Sequence, residues 1–239
     1  MHVGHHKVGT VWFGGILQRL AGYHGLRFHE HDLGRQIGTA DVVLYRHARF
    51  FEPSELASRT FRGSHLIRDP RDVTVSGYFY HLWTDELWAN VPLERFDGRS
   101  YREELNRVSR SEGLLLEIQL TAINQLKDML AWDYDQPEFL ELRYEDLVAD
   151  EMGQFERILR HYGLTDEAVR RGLDAVAETS FRSVSGRKLG EVGERSHLRS
   201  GKPGEWREHF GPEHLELWDE IASDALTRLG YEEHMSSSR

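Results

Sequence analysis

The chain has 239 residues, a formal net charge of -10, 39% hydrophobic residues and no cysteine. That is length and apolar content for one sizeable α/β domain, slightly short for two. The acidic balance argues against generic binding to nucleic acid or anionic membranes, and a chain without cysteine has no disulfide, thiolate metal site or cysteine nucleophile.

In chain order, residues 2–6 read as a short first strand. They lead into Gly4-His5-His6-Lys7-Val8-Gly9-Thr10-Val11-Trp12 and then into a helix over 10–22, with Trp12, Ile16, Leu17 and Leu20 at helical spacing. A strand, a glycine-punctuated turn and a helix start make an anion cradle. The turn lets backbone N–H groups converge, and the helix N-terminus adds partial positive charge. Lys7 supplies a full charge, and Thr10 stands as an N-cap or first-turn hydroxyl. A nucleotide phosphate or sulfate is the expected occupant; a plain glycine turn after a buried strand is the alternative. The Walker A pattern fails, because Lys7 stands three positions before Thr10 rather than next to it.

Residues 26–29 read as a second strand. Residues 41–45 form a near-continuous apolar run, typical of a parallel strand buried on both faces. Pro53 starts a short helix. Residues 65–68 form another buried strand, after which Asp69 caps a long helix with Pro70 at its first position and apolar residues continuing toward Trp88. Residues 93–111 are polar and connecting or lid-like. An amphipathic helix is expected over 114–132, a strand over 139–144, and helices over 152–162, 166–177 and 212–229. Between the last two lies a stretch over 183–204 rich in Ser, Gly, Arg and Lys. Strands alternating with helices imply a three-layer α/β/α fold around a mostly parallel sheet. In such sheets ligands sit beyond the carboxyl ends of the strands. A single domain is expected over 1–233, with a disordered tail over 234–239.

Arg68 falls at the carboxyl end of its strand, and Ser76 lies two turns into the next helix. A second anion between them is sterically reasonable, since a guanidinium chelates two phosphate oxygens. The alternative makes Arg68 a partner of Asp69 or Asp72.

The order x-K-x-G-T-x-W resembles the 5′-phosphosulfate loop of sulfotransferases that use 3′-phosphoadenosine 5′-phosphosulfate (PAPS), usually P-K-S-G-T-T-W. His6, Val8 and Val11 replace the Pro, the Ser and the second Thr. Arg68-Asp69-Pro70-Arg71-Asp72, followed by Ser76, is similar to the family's 3′-phosphate motif. Arg143-Tyr144-Glu145-Asp146-Leu147 resembles its R-Y-E-D-L segment, and Thr179-Ser180-Phe181 its T-S-F segment. Residues 198–210, Leu-Arg-Ser-Gly-Lys-Pro-Gly-Glu-Trp-Arg-Glu-His-Phe, resemble its C-terminal R-K-G-x-x-G-D-W-K-x-x-F signature. These marks follow one another in the family's order across residues 4–210.

The resemblance implies a P-loop-kinase-like sulfotransferase fold. It implies that Lys7, Gly9 and Thr10, with Val8 and Val11 of the same loop, hold the 5′-phosphosulfate. Trp12, Thr179 and Phe181 would frame the adenine, with Tyr144 at its edge. Arg68, Ser76, Arg199 and Gly201 would hold the 3′-phosphate; Ser200 stands where the family has Lys, and Lys202 would replace that charge. Core packing is the alternative for each aromatic, and Trp206 is read as structural. The family's usual dimerisation segment is absent and Gly211-Pro212 occupies its place, so a monomer or a differently built dimer is expected.

The implied chemistry is transfer of a sulfuryl group from PAPS to a hydroxyl or amine of a small-molecule or carbohydrate acceptor, leaving 3′,5′-diphosphoadenosine and needing no metal. Lys7 would stabilise charge on the bridging oxygen. His47 is the candidate base, just past the strand over 41–45, where many family members have K-T-H; Tyr45 rather than Arg46 takes the Lys position. His6 and Glu52 are reserves, and His81 is read as packing. The rival readings are an ATP-dependent kinase, a non-catalytic nucleotide-binding module, and a metal hydrolase using His29 and His31. Neither a membrane-length apolar run nor a signal-peptide core is visible, so a cytoplasmic protein is expected, with neither membrane nor nucleic acid as partner.

Overall fold

A computed structural model describes residues 1–31, 37–193, 195–222 and 224–231. Asp32 and the tail over 234–239 lie outside these residues. In chain order the strands are β1 (His2–Val3), β2 (Phe28–His31), β3 (Val42–Tyr45), β4 (Gly63–Ile67) and β5 (Phe139–Arg143). The helices are α1 (Thr10–Tyr23), α2 (Pro70–His81), α3 (Leu87–Asn90), α4 (Tyr101–Arg107), α5 (Arg110–Glu117), α6 (Ile123–Ala131), α7 (Tyr144–Ala149), α8 (Glu151–His161), α9 (Asp166–Thr179), α10 (Phe181–Ser185), α11 (Trp206–His209), α12 (Pro212–Ala222) and α13 (Ala225–Arg228). The chain forms two compact units, one of Met1–Arg68 with Trp132–Pro203, the other of Asp69–Ala131 with Gly204–Arg239.

The first unit holds the sheet, in the order β2-β3-β1-β4-β5 with every pair parallel. The α/β fold with a parallel sheet flanked by helices is therefore as the alternation predicts. Val43, Leu44 and Tyr45 of β3 are buried, between two neighbouring strands and under α1 and the core cluster. Val3, Val43, Tyr45, Phe51, Trp132 and Phe139 belong to that cluster; α1 and α8 both pack with α9, where Leu20 of α1, Leu159 of α8 and Val169 of α9 form a second cluster. From β1 the chain lays down β2 and β3 on one side, then returns to the other side of β1 for β4 and β5. The order thus reverses between β1 and β4, the place where open parallel sheets bind ligands.

Strand β1 is only two residues long, not five. Gly4 still donates to the Tyr45 carbonyl and accepts from Ala48, but the backbone then turns through Lys7 at φ 62°. Strand β2 starts two residues later than expected, because the Arg27 backbone is engaged with Asp41: its N–H donates to the carboxylate, and its carbonyl accepts from Asp41 and Val42.

In the second unit, α2 begins as the Asp-Pro signal predicts. Asp69 accepts from the Arg71 N–H, with Pro70 in the first turn. It ends at His81 rather than running on to Trp88. The polar stretch over 93–111 contains a helix, α4, and the start of another, α5. Both begin at capping boxes, Ser100 with Glu103 and Ser109 with Glu112. The expected single helix over 114–132 starts earlier, at Arg110, and carries a π-helical turn at Ile118–Ala122. The last helix is divided into α12 and α13. Val75, Tyr78, Tyr101, Leu105, Leu114 and Trp206 form this unit's core.

Candidate active site

The loop between β1 and α1 has the shape its glycines imply. Lys7 and Gly9 both adopt positive φ, 62° and 103°. Gly9 occupies the N-cap position of α1 and offers no side-chain acceptor, so the first-turn amides are left to the loop's concave face. A Cβ at Gly9 would stand 3.2 Å from the Tyr144 ring. Thr10 is buried at the helix start. Val8 has its side chain wholly buried, so only its backbone is available to a ligand, whereas Val11 is exposed.

The end of β4 meets this loop. Arg68, 6% exposed, donates from Nη1 to the Lys7 carbonyl at 3.3 Å, and its guanidinium carbon lies 4.5 Å from the centre of the Tyr144 ring. Tyr144, the first residue of α7 after β5, donates its hydroxyl to the Gly201 carbonyl at 2.8 Å. A Cβ at Gly201, which has φ 67°, would stand 3.0 Å from Phe181. Trp12 packs edge-on against Tyr144 and Phe155, and its buried indole nitrogen has no hydrogen-bond partner among the described residues. The methyl of Thr179 faces Gly15 of α1, and its hydroxyl donates back to Ala175 within α9. Lys7, Gly9, Trp12, Arg68, Tyr144, Thr179, Phe181 and Gly201 thus converge on the carboxyl ends of β1, β4 and β5.

Ser200 is buried, its carbonyl accepting from Gly190 and its hydroxyl from the Lys202 N–H. Arg199 holds its stretch through its carbonyl, which accepts from Gly193 and from Arg187. Ser76 lies on α2, in the second unit. His47 is partly buried just past β3. Its ring stacks with that of His6 at 6.0 Å between centres and 11° between planes, beside Lys7. Glu52 is exposed at the cap of a short 3-10 turn. His81 is wholly buried in the second unit, 2.9 Å from Glu117, which also accepts from Tyr101 at 2.6 Å. The rings of His29 and His31 lie 6.2 Å apart. His31 stacks on Tyr45, and no metal-binding cluster of three His, Cys, Asp or Glu residues occurs among the described residues.

Some residues that shape the site carry no role in the sequence reading. Arg187 donates to the carbonyls of Glu191, Leu198 and Arg199 at 2.5–2.6 Å, pinning the polar stretch that carries Arg199. In the second unit Asp72, 1% exposed, accepts from the N–H groups of Gly204 and Trp206 at 2.6 and 3.0 Å. Arg71 pairs with Asp69 and lies over the Trp206 ring at 4.0 Å. The Asp of the Arg68 motif is thereby the anchor of the Gly-x-Trp turn, a pairing that their separate positions in sequence did not reveal.

Behind the loop lies a buried histidine group. His5 Nε2 is 2.9 Å from His65 Nε2, and His65 Nδ1 is 2.6 Å from a Glu141 carboxylate oxygen. Trp132 donates to the other Glu141 oxygen at 2.9 Å and stacks on His65. Burial holds His5 and His65 well below the ordinary imidazole range, His65 at about 3; charges on His65 and His47 further oppose protonating His5. Burial pushes Glu141 up to about 7. The signal was present as alternating His, Ser and Glu in apolar strands, polar side chains that demand partners when buried.

A profile of the sulfotransferase domain family matches residues 39–230. The chain belongs to the sulfotransferase domain family. The match begins after the loop over 4–12, which therefore rests on its own geometry. Curated relatives include sulfotransferase 2A1 of Mus musculus, 27% identical over 189 residues covering 73% of this chain and 61% of that protein. The Homo sapiens protein of the same name is 26% identical over 191 residues, covering 74% and 62%. The chain spans about three fifths of the length of these relatives. Among solved structures, mouse sulfotransferase SULT7A1 complexed with PAP aligns with TM-score 0.62 and 15% identity, over 94% of this chain and 82% of that one. Retinol dehydratase in complex with androsterone and inactive cofactor PAP aligns with TM-score 0.55 and 18% identity, over 94% and 80%. These likenesses show that the sulfotransferase fold is shared. No helix of the described residues is long and apolar enough to cross a membrane.

Proposed function

We propose that this sulfotransferase-family chain binds PAPS and transfers its sulfuryl group to a hydroxyl or amine of a small-molecule or carbohydrate acceptor. The observation that carries the reading is the contact between Arg68 and the Lys7 carbonyl at 3.3 Å. Two cationic positions, at the ends of the strands flanking the switch point, meet in one place. A ligand with anionic groups at both ends fits such a pair better than a single phosphate does. The site also passes tests of fit: a glycine cap leaves helix amides open, Tyr144 closes on Gly9, and Trp12 has an unused buried donor. Family membership and the PAP named in the two solved relatives support the same choice.

When bound, PAPS supplies an activated sulfuryl group. The roles follow from charge and position. Lys7, the α1 amides and Thr10 face the 5′ end and stabilise charge developing on the bridging oxygen. Arg68, with Arg199, receives the 3′-phosphate, and Ser200, Gly201 and Lys202 complete that side. Trp12, Tyr144, Thr179 and Phe181 frame the adenine. His47 accepts the acceptor's proton, with His6 stacked against it. A sulfuryl group carries less charge than a phosphoryl group, which lessens the need for a divalent cation. The androsterone and retinol dehydratase named for one solved relative make a small apolar alcohol the first acceptor to screen.

The test is calorimetry with 3′,5′-diphosphoadenosine against ADP and ATP, with and without Mg²⁺. The diphosphoadenosine should bind at least about tenfold more tightly, a preference of about 1.4 kcal/mol, and Arg68→Ala should remove the preference. Equal affinity for ADP would defeat the assignment. His47→Ala should abolish most turnover while leaving that affinity intact.

A further inference from the structure

Arg187 stands between the Thr179-Ser180-Phe181 segment and the signature over 198–210 and belongs to neither. Helix α10 carries Phe181 and ends at Gly186, which takes φ 68°. The Ser185 hydroxyl donates to the Phe181 carbonyl at 2.6 Å and accepts from the Arg187 N–H at 3.1 Å. The backbone of Arg187 is thereby tied to the end of the helix that supplies one wall of the proposed adenine site, and its guanidinium lies 5.4 Å from the centre of the Phe181 ring. From that base the side chain crosses to residues 11 and 12 positions further on.

There, four successive carbonyls each accept a hydrogen bond. Arg187 Nη2 donates to Leu198 at 2.5 Å, and Arg187 Nη1 donates to Arg199 at 2.6 Å. The Gly193 N–H also donates to Arg199 and the Gly190 N–H to Ser200, both at 2.8 Å, while the Tyr144 hydroxyl holds Gly201. Each backbone donor holds one peptide plane. The fork of Arg187 holds two, and they are the two that flank the Arg199 Cα. The φ of a residue turns the plane before its Cα and ψ turns the plane after it, and these are its only soft backbone torsions. One rigid planar group that grips both planes therefore fixes both torsions, and with them the direction in which Arg199 projects its side chain. An ammonium is a point charge on a flexible stem and does not impose that relation. Gly193 keeps the place open: its φ is not positive, but a Cβ there would overlap the Arg187 guanidinium.

We propose that Arg187 is a positioning residue, which aims Arg199 and so gives the site its preference for adenosine nucleotides that carry a 3′-phosphate. The role rests on the proposed function, in which Arg199 receives that phosphate. Arg187 itself touches no ligand and acts through Arg199.

The experiment compares, by calorimetry on the full chain, two ligands that differ only in the 3′-phosphate: 3′,5′-diphosphoadenosine and adenosine 5′-phosphate. The native protein should prefer the first by at least about tenfold. Arg187→Lys, which keeps the charge and loses the fork, should cut that preference by about fivefold or more and leave the affinity for adenosine 5′-phosphate within about twofold of native. Gly193→Ala, which crowds the fork and leaves its charge in place, should do the same. In an Arg199→Ala background, Arg187→Lys should change the preference no further, because its effect runs through Arg199. A role in the fold alone would weaken both ligands together. Arg187 is misassigned if Arg187→Lys keeps the native preference, if both ligands weaken equally, or if the effect persists at full size after Arg199→Ala. Should Arg187→Lys fail to fold, Gly193→Ala decides. A native chain with no preference between the two ligands would overturn the PAPS reading and this role with it, whereas a native preference that survives Arg187→Lys overturns the role alone.

Discussion

At the scale of single residues, Lys7 carries both charge and strain. A non-glycine residue at φ 62° pays a steric cost that glycine does not. Lys7→Gly should therefore leave the protein as stable as before or more so, by up to about 1 kcal/mol, while weakening 3′,5′-diphosphoadenosine binding. Lys7→Val should lose both binding and stability. Denaturant melts paired with calorimetry separate the two effects. Asp72 makes a different kind of contribution, holding backbone. Removing its carboxylate strands one buried and one partly buried amide, so Asp72→Ala should cost about 3 kcal/mol in urea unfolding, and Asp72→Asn, which keeps one acceptor, should cost less. Lys7, Arg68, Tyr144 and Gly201 were legible in the sequence because motif order names them. The work of Asp72 was not: its partners lie more than 130 positions away and are backbone groups, which leave no mark in a residue pattern.

At the scale of elements, what could be read depended on local signals. The start of α2 was visible because Asp-Pro acts on its own neighbourhood. Helix α4 was hidden by its polarity, although Ser100-Tyr101-Arg102-Glu103 spells out a capping box. The π-helical turn at Ile118–Ala122 was not readable from periodicity. It follows a buried glutamate held by His81, Tyr101 and Thr121, partners set by tertiary packing. Arg187 adds side-chain bonds to the backbone bonds that hold the stretch leading to Arg199. Its guanidinium fork reaches three carbonyls, a geometry that an ammonium group does not reproduce. Arg187→Lys should keep the fold's melting temperature within a few degrees yet raise the rate of proteolytic cleavage in this segment several-fold. Cleavage at the native rate would show that Arg187 does not hold it.

At the scale of the whole molecule, buried titratable groups set how stability follows pH. Glu141 has its proton affinity raised to about 7, above the ordinary carboxyl value of about 4.3. Between those values the native state keeps a proton that the unfolded chain has lost. This group therefore favours folding at low pH, and that contribution is lost as pH rises through about 7. His2, His5 and His65 act in the other sense: held neutral in the fold, they charge on unfolding, so their contribution is lost as pH falls below about 6.5. Removing the Glu141 offset exposes the histidine effect. From about pH 6 to about pH 5, the stability of Glu141→Gln should fall more steeply than that of the native chain by one proton, about 1.4 kcal/mol per pH unit. Parallel curves from urea melts across this range would refute the assignment.

The two-residue β1 sits in the middle of the sheet and takes its register from Leu44, Tyr45, Ser64 and His65. During synthesis these neighbours emerge about forty and about sixty residues after it, and closing loops of that length costs chain entropy before pairing repays it. The nucleotide cradle therefore exists as a sequence long before it exists as a shape, and a nascent chain halted before β4 would display it unformed.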